Sequence, residues 1–303
     1  MRNKYKASSE TNNLSNTSKR NNTNNFSPSL EKNINSEYAN HSNSSFSSIS
    51  STSITDDNKN NNNDKLTSQN NENNQAGIKE YANPEKFFTF TFYKVDPKWR
   101  WLNEIGKDEA SREFQELLDT ASKRMKIRTY STLGLRHESE FMIWTVSQSL
   151  ENIQILASKI YITILGKYIE PVSTFLSMTR RSVYSNQIKL GYELNEDPLQ
   201  YVIVYPFIKS REWYLLPFEK RKEMMEEHIK VGRKYPEILL NTTYSFGIDD
   251  QDFMLAFETN SLSKFQSLIL ELRETEVSRY IIKDTPMIPC VRKNINDIIK
   301  SLG

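Results

Sequence analysis

The sequence has little of what usually carries protein chemistry. Its 303 residues include one cysteine, three histidines and eight glycines. The single thiol, Cys290, excludes an internal disulfide and any zinc site built on several cysteines. Eight glycines leave little room for phosphate-cradling loops. No Gly-rich phosphate loop, HExxH helix or nucleophile elbow is present. No run of 18 or more apolar residues occurs, which excludes a membrane-spanning helix. The start, Met1-Arg2-Asn3-Lys4-Tyr5-Lys6, has no apolar stretch behind its charges, so it does not read as a secretory signal. A formal net charge of +2 makes no case for nucleic acid or an anionic membrane as partner. The expectation is a cytoplasmic globular protein acting on small molecules.

What is present divides in two. Residues 1–80 hold 21 Asn and 16 Ser but only four aromatics, Tyr5, Phe26, Tyr38 and Phe46. So polar a segment buries too little apolar surface to offset its ordering entropy. Residues 1–82 are therefore expected to be a disordered tail. All four Trp and nearly all the Phe lie beyond it.

After the tail, Phe87-Phe88-Thr89-Phe90-Thr91-Phe92-Tyr93 alternates as a strand does. A helix follows from Asp108 to about Lys123, then strands over Lys126–Leu135 and Phe141–Val146. A second helix covers Ser149 to about Leu165, and a fourth strand Pro171–Thr179. The order is β-α-β-β-α-β. The second half repeats it: strand Gln200–Lys209, helix Pro217–Tyr235 stopped by Pro236, strands Ile238–Phe246 and Asp252–Glu258, a helix from Asn260 or Ser261 to about Val277, and a short strand Thr285–Pro289. This predicts an α+β fold of two ferredoxin-like halves, 83–194 and 195–303, with antiparallel sheets packed together and helices outside.

Candidate chemistry concentrates in the second half. His41 lies in the tail and His137 in a polar turn. His228 shares a helix face with Met224, Met225, Val231 and Tyr235, which turns it into an apolar stripe. Two readings fit: a core histidine with a satisfied hydrogen bond, or an axial haem ligand, since no second metal ligand stands at i+3 or i+4. On the strand, Tyr201, Ile203, Tyr205, Phe207 and Lys209 share a face at period two. A phenol and an ammonium there suit radical or proton-transfer work beside a cofactor. They equally suit an edge tyrosine and a snorkelling lysine. Pro206 suggests an edge or a bulge. Glu276 continues the stripe Phe265, Leu268, Leu272. It is either the carboxylate that orients the imidazole of His228 or a solvated residue at a frayed helix end.

Tyr205-Pro206-Phe207-Ile208-Lys209, Trp213-Tyr214-Leu215-Leu216-Pro217 and Glu227-His228-Ile229-Lys230-Val231-Gly232-Arg233-Lys234-Tyr235 resemble the chlorite dismutase family, which includes the coproheme decarboxylases. Tyr244-Ser245-Phe246-Gly247-Ile248-Asp249-Asp250 and Leu272-Arg273-Glu274-Thr275-Glu276-Val277-Ser278-Arg279-Tyr280 extend the likeness. So do Tyr130-Ser131-Thr132-Leu133-Gly134-Leu135 and Phe141-Met142-Ile143-Trp144 in the first half. The resemblance covers about Phe87 to Cys290 and implies a haem-dependent oxidoreductase, with haem b or coproheme as cofactor and a homopentameric assembly. Residue by residue, it implies His228 as the iron ligand, Tyr205 and Lys209 as the decarboxylation pair, and Arg273 and Ser278 as propionate binders. Chlorite dismutases carry a distal arginine on the strand after the ligand helix. Here that position is Leu240 or Asn241, and neither is a cation. The linker from Lys209 to Trp213 is also shorter than in typical decarboxylases. The preferred expectation is peroxide-dependent decarboxylation of coproheme. The alternatives are chlorite decomposition, for which a cation over the iron would hold the anion, and a haem sensor or carrier without turnover.

Overall fold

A computed structural model describes residues 85–185, 189–194 and 197–303. These fall within one compact unit, Asn71–Gly303. The predicted tail, 1–82, lies outside the described residues.

Local signals set the elements. Strand β1 (Phe87–Val95) turns Phe88, Phe90 and Phe92 to one face, where all three are buried. A 3-10 turn, Pro97–Trp101, leads to helix α1 (Glu104–Ser122), whose first turn is closed by Asn103 Oδ1 accepting from the Gly106 N–H at 2.8 Å. Strands β2 (Lys126–Ser131) and β3 (Phe141–Ser147) precede helix α2 (Leu150–Ile162), capped by Ser149, and strand β4 (Ile169–Met178) completes the first half. A short helix, α3 (Gly191–Leu194), comes before strand β5 (Tyr201–Lys209). Helices α4 (Arg211–Leu215) and α5 (Phe218–Gly232) follow, then strands β6 (Leu239–Tyr244) and β7 (Phe253–Thr259). Helix α6 (Leu262–Arg273) is capped by Ser261, and strands β8 (Ile281–Lys283) and β9 (Ile288–Arg292) and helix α7 (Ile295–Lys300) end the chain.

The β-α-β-β-α-β order appears twice, as expected. The first half forms the sheet β4-β1-β3-β2 and the second β9-β5-β7-β6. The two meet edge to edge. Tyr130 and Ser131 pair with Arg292 and Val291 at one seam, and Met178 pairs with Tyr244 at the other. Eight strands thereby close into a ring, with β8 attached outside it on β5.

The ring encloses Phe88, Phe90, Phe92, Met142, Trp144, Val202, Val204 and Met254. Each such side chain contributes about 1.5–3 kcal/mol when fully withdrawn from water. Helices lie outside: α1, α2 and α7 bury the outer face of the first half, and α5 and α6 lie over that of the second. The expected last strand over 285–289 is replaced by two short strands, Ile281–Lys283 and Ile288–Arg292, with residues 284–287 between them. Helix α7 is an element the sequence reading did not include.

Candidate functional site

The candidate cleft is the layer between the second sheet and its helices, and it is built on β5. Because side chains alternate along a strand, Val202 and Val204 enter the ring while Ile203, Tyr205 and Phe207 face α5 and α6. Pro206 sits inside this strand without weakening it. On one side β5 pairs with β7 through Phe207. On the other it pairs with β9 over Tyr201–Val204 and with β8 only from Ile208. The missing N–H of Pro206 therefore falls in the gap between two partner strands.

Tyr205 is 3% exposed and stacks on Phe257 at 6.0 Å between ring centroids. Burial raises its phenol pKa above the ordinary range, so it stays protonated at neutral pH. The charges of Asp284, first, and of Arg273 also act on it. Leu240, on β6, packs in the same apolar cluster, together with Val231 and Tyr235 of the α5 side.

Lys209 lies past a register shift at the end of β5. Ser210 Oγ accepts from the Trp213 N–H at 3.4 Å and starts α4, which brings the indole under the lysine. The Lys209 ammonium stands 3.5 Å from the Trp213 ring centroid and 3.6 Å from Met225 Sδ. Asp252 Oδ2 accepts from the Lys209 backbone N–H at 2.9 Å and from the Tyr214 hydroxyl at 2.7 Å. Burial, and then the nearby Arg221 charge, pull the Lys209 pKa down to about 7.

His228 projects from α5 between two apolar groups. Met224 and Met225 on one side join Trp213 and Val277, and Val231 on the other joins the Tyr205 cluster. Burial, with the Lys209 charge second, lowers the imidazole pKa to about 4. The ring is thus neutral across the physiological range, with a lone pair free to bind a metal. Its Nδ1 is buried and has no hydrogen-bond partner. Of the two sequence readings, the satisfied core histidine is therefore not the arrangement found.

Glu276 does not meet His228. Helix α6 ends at Arg273, not near Val277, because Thr275 Oγ1 donates back to the Leu272 carbonyl at 2.7 Å and a 3-10 turn begins at Glu276. The Glu276 side chain is exposed and lies 3.7 Å from Lys220 Nζ. Arg273 is exposed and pairs with Asp284 at 3.2 Å, and Ser278 Oγ donates to the Arg273 carbonyl at 2.8 Å. Arg273 acts on Tyr205, whereas Ser278 lies in the turn whose Val277 and Tyr280 pack with Trp213. Asn241, by contrast, points into the ring. It accepts from the Tyr192 N–H at 2.7 Å and donates to Glu258 Oε1 at 3.0 Å. Of the two positions the sequence left open, Leu240 is the one on the cleft.

Trp213, Asp252 and Arg221 were not singled out as site residues from sequence. Arg221 lies seven residues before His228, a spacing that puts both on one helix face. Asp252 gave no local signal, because its partners are 38 and 43 residues away.

Among the described residues, no group of three or more His, Cys, Asp and Glu could hold a metal ion. A neutral imidazole standing alone in an apolar wall fits an iron that arrives with its own macrocycle, not a site made wholly of protein donors.

Fold and site together define an α+β protein of two ferredoxin-like halves that presents one lone imidazole near a desolvated ammonium, with a buried phenol on the same strand as the ammonium. The chain belongs to the chlorite dismutase family: residues 107–293 match the profile described as Chlorite dismutase. It is 30% identical over 227 residues to the coproheme decarboxylase of Mycolicibacterium smegmatis, covering 72% of this chain and 94% of that one. In structure it is similar to a double mutant of the chlorite dismutase of Candidatus Nitrospira defluvii, with TM-score 0.66, 23% identity, and 71% and 94% of the two chains covered. The same enzyme in complex with imidazole gives TM-score 0.66 at 22% identity, with the same coverage.

Proposed function

We propose that this chain is a haem-dependent oxidoreductase whose reaction is the peroxide-dependent decarboxylation of coproheme. The supporting observation is a neutral imidazole that feels the charge of an ammonium with its pKa near neutrality, on the strand that also buries the Tyr205 phenol against the α5 side. The similarity to a coproheme decarboxylase supports the same reading. His228 would hold the iron, and Arg273 and Ser278 would anchor carboxylates beside Tyr205. When bound, the iron porphyrin supplies the oxidising equivalents of peroxide.

In the overall change each propionate that reacts becomes a vinyl group and carbon dioxide, while one hydrogen peroxide and one proton become two waters. Tyr205 would give up one electron and its phenol proton and regain both as a hydrogen atom from the propionate side chain. The carbon–carbon bond to the carboxylate then breaks as the second electron leaves. Its burial beside Phe257 keeps water away from the phenoxyl. Lys209 would hold the required proton at Nζ and release it near pH 7.

Mass spectrometry of coproheme incubated with the chain and hydrogen peroxide tests this. Stepwise loss of carbon dioxide with two hydrogens is expected, and unchanged coproheme refutes it. Leu240 favours a second reading, a haem binder without turnover. An apolar side chain there offers no charge to hold chlorite or polarise peroxide. The same assay separates the two, since a carrier keeps its pigment and releases no carbon dioxide.

A further inference from the structure

Lys209 acts on His228 and Arg221 acts on Lys209, and among the described residues Arg221 takes part in no ion pair. Arg221 and His228 project from the same face of α5. The Arg221 Nε is buried and has no hydrogen-bond partner. Its guanidinium lies 5.8 Å from the Phe218 ring centroid and close enough to Tyr184 to act on that hydroxyl. The Lys209 ammonium faces the Trp213 ring and Met225 Sδ. Each cation is near enough to the other for Arg221 to weaken the hold of Lys209 on its proton.

Two neighbouring cations largely withdrawn from water cost free energy unless a counter-charge arrives. Asp252 offsets part of the Lys209 charge from beside the Lys209 backbone N–H and the Tyr214 hydroxyl, but among the described residues it makes no ion pair with Arg221. Other cations of this region have acids at hand: Lys220 has Glu223 and Glu276, and Lys234 has Glu271.

We propose that Arg221 is a carboxylate-binding residue, which with Lys209 clamps one acidic side arm of an anionic iron porphyrin. The assignment rests on the reading of the cleft as an iron porphyrin site. A guanidinium presents a planar fork that matches a carboxylate, and a lysine adds a point charge. The clamp is distinct from Arg273, which pairs with Asp284. Arg273 acts on Tyr205, whereas Arg221 acts on Lys209, four residues or about 13 Å further along β5. A porphyrin with several carboxylates would engage Arg273 as well as the clamp.

The test titrates the full-length chain with iron coproporphyrin and with its uncharged tetramethyl ester, following the Soret band and Trp fluorescence. Arg221→Gln should raise the Kd for the tetra-acid about ten- to a hundredfold and leave the ester unchanged. Arg221→Lys, which keeps the charge without the fork, should fall between. An unchanged Kd for the tetra-acid in Arg221→Gln, or parallel losses for acid and ester, overturns the clamp and leaves the His228 reading standing. Failure of the unsubstituted chain to bind either porphyrin overturns both.

Discussion

Arg128 of the first half and Glu258 of the second form an ion pair of 2.8 Å inside the ring, with side-chain exposures of 6% and 1%. Asn241 donates to the other carboxylate oxygen at 3.0 Å, and the Arg128 guanidinium lies 5.1 Å from the Trp144 ring centroid. Removing one partner strands the other charge away from water. Arg128→Met should therefore cost about 3–5 kcal/mol of stability in urea unfolding. The double substitution Arg128→Met, Glu258→Met should cost clearly less than the sum of its parts. Additive losses would show that the two groups are not coupled.

Helix α7 completes the core of the first half from the far end of the chain. Ile295, Ile298, Ile299 and Leu302 are buried in one cluster with Phe114 and Leu118 of α1, and Ser111 Oγ donates to Asn296 Oδ1 at 2.8 Å. Ile298→Ala should cost about 2–5 kcal/mol by calorimetry or denaturant. Porphyrin affinity at low temperature should be unchanged, because α7 packs on the half that does not carry the cleft. A loss below about 0.5 kcal/mol would mean that the helix is not part of the core.

The two halves were legible because each element announces itself locally. The alternation of Phe88, Phe90 and Phe92 and the caps at Ser149 and Ser261 need only a few residues to be seen. The ring closure was not legible. It depends on Tyr130 meeting Arg292 and Met178 meeting Tyr244, pairings between distant strand ends with no local signature. Helix α7 is too short for its periodicity to stand out, and its partners lie almost two hundred residues earlier in the chain. In the cleft, the face shared by Tyr205 and Phe207 was readable from period two. Glu276 is exposed beyond the helix end, the second of its two sequence readings, because the helix stops at Arg273 where the Thr275 hydroxyl turns back to Leu272.

His228 predicts both a spectrum and a pH dependence. Its Ala variant should lose the Soret band of the iron-bound state, and an unchanged spectrum would remove His228 as the ligand. In the free protein its pKa of about 4 lies below the roughly 6.5 of an unfolded histidine. Between those values the unfolded chain binds more protons, so stability should fall as pH drops from about 6.5 toward 4. His228→Leu should flatten that part of the unfolding curve. An identical slope in the variant would contradict the assignment.

Lys209 makes a separate pH prediction. As a proton donor it must be protonated, and its pKa is about 7. The kcat/KM for coproheme should therefore decline as pH rises through about 7. Lys209→Arg keeps the charge but cannot release a proton in this range, so the limb should vanish and turnover should fall at least tenfold. A limb that persists unchanged in that variant belongs to another group.

The central claim is that Tyr205 acts on a porphyrin held by the cleft of α5 and β5. It is tested most directly by adding coproheme and hydrogen peroxide to Tyr205→Phe, then measuring the Soret band and the mass of the porphyrin together. The predicted result is a Soret band matching that of the unsubstituted chain and a porphyrin that keeps all its carboxylates. Decarboxylation at the unsubstituted rate would contradict the account.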